Sequence, residues 1–170
     1  MIADPARRGR ALAGFYPAVA PRLYLDLAEA GVLPDAGAAE SAVRARHEWE
    51  CFALYACVRG LVAAGGFNRE TGAAIDALHE AVLEDWMRAE GATEAFDRRR
   101  ARVAERYAEY GAIGQEGGAA GAETVTRRLG EAAGRRIAGD AIPADGLAEM
   151  AGALHEALAE GAAEAVRRAE

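Results

Sequence analysis

The sequence predicts an all-α protein, a bundle of about six helices with a long buried central helix. Three observations carry that expectation. Alanine, the strongest helix former, supplies 45 of the 170 residues. β-branched residues are sparse, and no stretch alternates between apolar and polar with period two. Glycine, proline and capping residues cut the chain into six segments whose apolar residues return every three or four positions.

The first segment runs from about Pro21 to Ala30. Pro21 suits a first helical position and Gly31 a left-handed stop. Val32, Leu33 and Pro34 then form an apolar turn. The second runs from about Ala38 to Ala64 and ends at Gly65 and Gly66. Its stretch from Cys51 to Val58 is apolar on every side, the pattern of a helix touched by neighbours all round. The third opens on Asn68 as N-cap, carries Glu70 in its first turn, and ends near Glu90 and Gly91. Ile75, Leu78, Val82 and Trp86 form its single stripe. The fourth opens on Thr93 and fades near Gly111, with a narrow stripe of Phe96, Val103, Tyr107 and Tyr110. The fifth runs from about Ala122 to Gly139, where Gly130 and Gly134 allow a neighbour to approach closely. Asp145 caps the sixth, whose Leu147, Met150, Leu154, Leu158 and Ala162 follow a clean helical series. Residues 111–121 contain five glycines and read as a flexible linker. A single domain over residues 1–170 is expected, because the two helices beyond that linker would bury little alone.

The composition excludes several chemistries. All 20 cationic side chains are arginines, so there is no lysine for a Schiff base or a phosphate-binding loop. A serine hydrolase would rest on Ser41 alone. The net charge of -7 opposes nucleic-acid binding, which needs a basic face, and adsorption to anionic membranes. No apolar run approaches the ~20 residues that span a bilayer. Cys51 and Cys57 point about 240° apart around one helix, which suits two separate buried thiols in a reducing cytoplasm. Arg7, Arg8 and Arg10 precede a weakly apolar stretch, so a twin-arginine export signal is the alternative there. Gly14 and Pro17 interrupt that stretch and speak against it.

Few residues carry chemistry. His47, His79 and His155 all fall on core-facing surfaces. Converging, they would make a metal site with Glu50 as a fourth ligand. The ordinary reading is three core-edge histidines, each hydrogen-bonded to a carbonyl or carboxylate. A di-iron pattern is absent, because the residues three before them are Arg44, Asp76 and Gly152. In the arginine run of the fourth helix, Arg100 falls on the stripe with Phe96, Val103 and Tyr107. A guanidinium there must be paired or stacked. It either meets a carboxylate of the third or sixth helix, or clamps an anionic ligand with Tyr107 and Tyr110 as hydroxyl donors.

These features specify no cofactor and no catalytic residue. The function they favour is binding or assembly by a cytoplasmic protein with a protein partner, most naturally as a homodimer. Phe15, Tyr16, Tyr24, Leu33 and Trp49 exceed what six short helices need to hide. The alternative is a ligand- or metal-binding protein, or an enzyme, that uses the histidines or Arg100.

Overall fold

A computed structural model describes residues 4–35, 37, 39–117 and 121–169. Six helices follow one another: α1 (Pro5–Glu29), α2 (Ala39–Gly65), α3 (Arg69–Glu90), α4 (Glu94–Gly117), α5 (Ala122–Ala138) and α6 (Leu147–Ala169). Among the described residues there is no strand. None of these helices is long and apolar enough to cross a membrane.

The all-round apolar stretch of the second segment does what its pattern predicts. Cys51, Phe52, Ala53, Leu54, Ala56 and Cys57 are fully buried, and α2 touches each of the other five helices. Small residues set how close these come. A Cβ on Gly60 would stand 2.6 Å from the Ala162 Cβ of α6, and one on Gly9 would stand 2.5 Å from the Ala74 carbonyl oxygen of α3. One on Gly130 would overlap the Ala148 carbonyl oxygen of α6.

Two caps form as the sequence dictates. Asn68 Oδ1 accepts from the Thr71 N–H at 2.8 Å, and Thr93 Oγ1 accepts from the Phe96 N–H at 3.3 Å. The end of α5 is closed by Gly139 at φ 64° and by Arg44 of α2, whose guanidinium donates to the Arg136 carbonyl at 2.9 Å. A cation there also answers the negative end of the helix dipole. Asp145 stands one residue further out than expected; Gly146, at φ 85°, precedes α6 and its carbonyl accepts from the Met150 N–H. The expected start of α2 at Ala38 lies outside the described residues.

Two boundaries differ from the sequence reading. The first helix begins at Pro5, with Asp4 as its cap, and continues through Pro17 and Pro21. Both prolines face solvent, where the carbonyls that lose an N–H partner can be hydrated. The opposite face buries Leu12, Tyr16, Ala20 and Leu27, and α1 packs along α3, α6 and α2. That burial outweighs two missing hydrogen bonds. At the other site, α4 does not fade at Gly111 but continues to Gly117. Residues 111–117 are therefore helix rather than linker, and residues 118–120 lie outside the described residues.

Candidate functional site

The apolar stripe of α4 is centred midway between two arginines, Arg99 and Arg100 lying about 50° to either side of it. Tertiary partners decide between them. The expectation that Arg100 faces the core is not met: it is 61% exposed and pairs with Asp97 one turn back at 3.4 Å. Arg99 turns inward and is 6% exposed. Its guanidinium lies 3.6 Å above the Trp86 ring, reaches Glu50 Oε2 at 2.5 Å, and pairs with Glu90. The acids that hold it come from α2 and the end of α3, whereas Arg100 meets Asp97 of its own helix and lies 5.9 Å over the Phe96 ring.

Further along α4 the same inward face carries Arg102 and Arg106. Arg106 grips the buried Glu48 with two hydrogen bonds, at 2.6 and 2.9 Å, and Arg102 stands 3.3 Å from the same carboxylate. Those bonds raise the Arg106 pKa still further above its already high ordinary value. Burial pushes the Glu50 carboxyl up, and Arg99 opposes that shift. Thus Arg99, Arg102 and Arg106, spaced three and four apart, form a comb that locks α4 to two acids of α2.

The other predicted ligand residues do not join Arg100. Tyr110 is fully buried, edge-tilted against Phe52 at 5.2 Å, and its hydroxyl has no hydrogen-bond partner among the described residues. Tyr107 shares a 2.9 Å hydrogen bond with His79 Nε2. Burial raises both phenol pKa values.

Nor are the four predicted metal ligands brought together. Phe52 lies about 140° around α2 from His47, and His155 stacks on Phe52 at 4.0 Å. His155 and His47 therefore sit on different sides of the same helix, while His79 is occupied with Tyr107 of α4. Glu50 serves Arg99. Among the described residues no three His, Cys, Asp or Glu side chains are grouped to hold a metal. Burial lowers the pKa of all three histidines. His155 falls well below the usual value, helped by Arg59, and His47 falls to about 4, helped by Arg99. Among the described residues neither nitrogen of His155 finds a well-formed hydrogen bond, although the Phe52 main chain favours its protonated form.

The surface holds a feature that sequence reasoning missed. An open groove of about 610 Å3 lies between α2, the end of α4 and the start of α5. Val58, Val62 and Val125 give it apolar walls, and Phe67 stands at its edge, 96% exposed. Its polar points are few: Tyr55, Gln115 and Arg59, the last held by Glu156 at 2.5 Å. Glu156 in turn accepts from Thr126 Oγ1 at 2.7 Å. The α4 wall is bare because Gly111 and Gly114 share a helix face. Among the described residues a Cβ on Gly111 would meet nothing within 4 Å, and one on Gly114 only the Tyr55 hydroxyl, at 3.6 Å. A second cavity, of about 690 Å3 between α5 and α6, is ringed instead by Glu123, Glu131, Asp145 and Glu149.

The signal for the groove was present but misread. Gly111 and Gly114 looked like the start of a linker, and they are the flat side of a continuing helix. No protein family, no curated protein and no solved structure matches this chain.

Proposed function

We propose that the protein is a binding module whose working surface is the groove between α2, α4 and α5. The observation that supports this reading is the bare glycine wall. A glycine inside a helix costs about 1 kcal/mol relative to alanine. At Gly9, Gly60 and Gly130 that cost is offset by close helix packing, because any side chain would collide. Among the described residues Gly111 and Gly114 have no such neighbour; Gly14 and Gly72 are equally bare, but Gly111 and Gly114 line a hollow, with Val58, Val62 and Val125 among its other walls. The groove volume of about 610 Å3 lies within the ~300–1,000 Å3 of ordinary binding pockets. An apolar surface with three polar points favours an apolar guest oriented by a hydroxyl, an amide and a guanidinium. The buried arginine comb of α4 acts in this reading as a scaffold that holds the groove wall in register.

The test fills the groove. Gly111→Phe places a ring where nothing now stands, on a helix that tolerates it. At sub-micromolar protein, an environment-sensitive apolar dye is expected to bind the wild type and to lose at least about tenfold in affinity with the variant, a difference of ~1.4 kcal/mol. Circular dichroism confirms that both are folded. Equal dye binding by the two proteins would sink the reading.

A further inference from the structure

We infer that the guest of this groove is a second copy of the chain, the two copies exchanging their Phe67 side chains across a two-fold axis. This rests on the groove being the binding surface. Phe67 sits in the short connection between α2 and α3, and its ring is 96% exposed at the lip of the groove. An aromatic ring left in water beside an apolar hollow is the anatomy of an interface anchor. A two-fold interface requires one patch to carry both the projecting group and its receptor, so that each copy gives what the other takes. Phe67 and the glycine-walled hollow supply that pair within a single patch.

Charge favours the same face. Each copy carries a net charge of -7, so two copies repel over most of their surface. The groove lining contains no acid, and its one cation, Arg59, is already paired with Glu156. The larger cavity between α5 and α6 is closed to a second copy on this ground. Its Glu123, Asp145 and Glu149 would face like charges, with Arg127 already committed to Glu131 at 2.6 Å.

Of the five residues on which the sequence rests self-association, Phe15, Tyr24 and Leu33 are half-buried against the core. Trp49 and Tyr16 are consumed inside the chain, Trp49 donating to the Ala20 carbonyl at 2.8 Å and Tyr16 to the Glu50 carbonyl at 3.2 Å. The surplus aromatic surface is Phe67.

Sedimentation velocity across a concentration series, with dye titration alongside, tests the inference on four samples: wild type, Phe67→Glu, Gly111→Phe, and an equal mixture of the two variants. An anchor residue is worth about 30-fold in affinity, and symmetry counts it twice, so each variant alone is expected to weaken the dimer about 1,000-fold. The mixture restores one of the two contacts, because one partner keeps the ring and the other keeps the hollow. It is expected to regain a heterodimer about 30-fold weaker than the wild-type dimer. Phe67 is exposed and Gly111 is unpacked, so neither change threatens folding. A wild type that stays monomeric at every concentration overturns the second copy. So does a dimer that both variants retain, or a mixture no better than its parts. Dye binding that Gly111→Phe abolishes in a monomeric wild type leaves the groove as a binding surface. Dye binding unaffected by Gly111→Phe removes both readings.

Discussion

Arg99 and Arg100 are adjacent and chemically identical, yet their surroundings give their loss different consequences. Removing the Arg99 head group strands Glu50 and Glu90 near the Trp86 ring, and breaking a buried pair costs ~3–5 kcal/mol. The carboxylates keep some solvent contact, 19% and 27% exposed, which places the expected loss at the lower end, about 3 kcal/mol. Arg100→Ala is expected to change stability by no more than about 0.5 kcal/mol. Urea denaturation of both variants measures the contrast, and equal midpoints would contradict it. The stripe alone could not separate the two residues, because they flank its centre symmetrically; the deciding information lies in Glu50 and Glu90, which belong to other helices. The histidines supply a second expectation. His155 is held neutral in the fold by burial, and its ordinary pKa is about 6.5. Below that value the unfolded chain takes up more protons than the folded one, so stability falls as pH falls. His47 and His79 shift the same way and add to the effect. The melting temperature is expected to decline between pH ~6.5 and ~5, above the carboxylate range. His155→Leu should show a shallower decline, and identical slopes would remove His155 as a source of it.

Helices obey their sequence where the rule is local. The caps at Asn68 and Thr93 were legible because each needs only a side-chain oxygen and the N–H three residues on. Stripes were legible in α3 and α6 for the same reason. Local rules fail at Pro17, Pro21 and Gly111, where the residue disfavours a helix and the packing of Tyr16, Ala20 and Tyr110 imposes one. The glycines now divide into two kinds with opposite expected responses to alanine. Gly130→Ala must push α5 away from the α6 backbone and is expected to lose ~1–3 kcal/mol. Gly111→Ala meets open space and is expected to gain ~0.4–1 kcal/mol, chiefly by restricting the unfolded chain. Thermal melts of the two variants should therefore move in opposite directions; movement in the same direction would contradict the division. A gain at Gly111 would mean that the natural residue is not the one stability prefers, as at positions where function sets the choice.

Across the whole molecule, both thiols report on a single event. Cys51 and Cys57 are fully buried, and burial pushes each up to about 12. The thiolate is the reactive form, so the folded protein should be inert to a thiol-reactive dye at pH 8. Both cysteines are expected to react together, at the rate or population of global opening, in the native protein. Fast labelling of one thiol alone would show a local opening and contradict this. The legibility of the architecture has the same origin as that behaviour. Fold class, helix number and the central helix were readable because an apolar surface on every side of one segment leaves few arrangements. The groove was not readable, because it is defined by what three separate helices fail to fill.

That central position has a consequence for how the molecule comes apart. Five neighbours share the surface of α2, α6 the most and α3 and α4 the least. Detaching α4 or α6 uncovers Phe52, on which Tyr110 and His155 pack, so the cost of peeling either helix is felt at the centre of α2. A fragment ending between α4 and α5 would keep the stretch from Cys51 to Cys57 but lose the α5 and α6 that pack on α2. With its side chains buried on every side, that stretch is expected to be the last of the described residues to exchange its backbone amides.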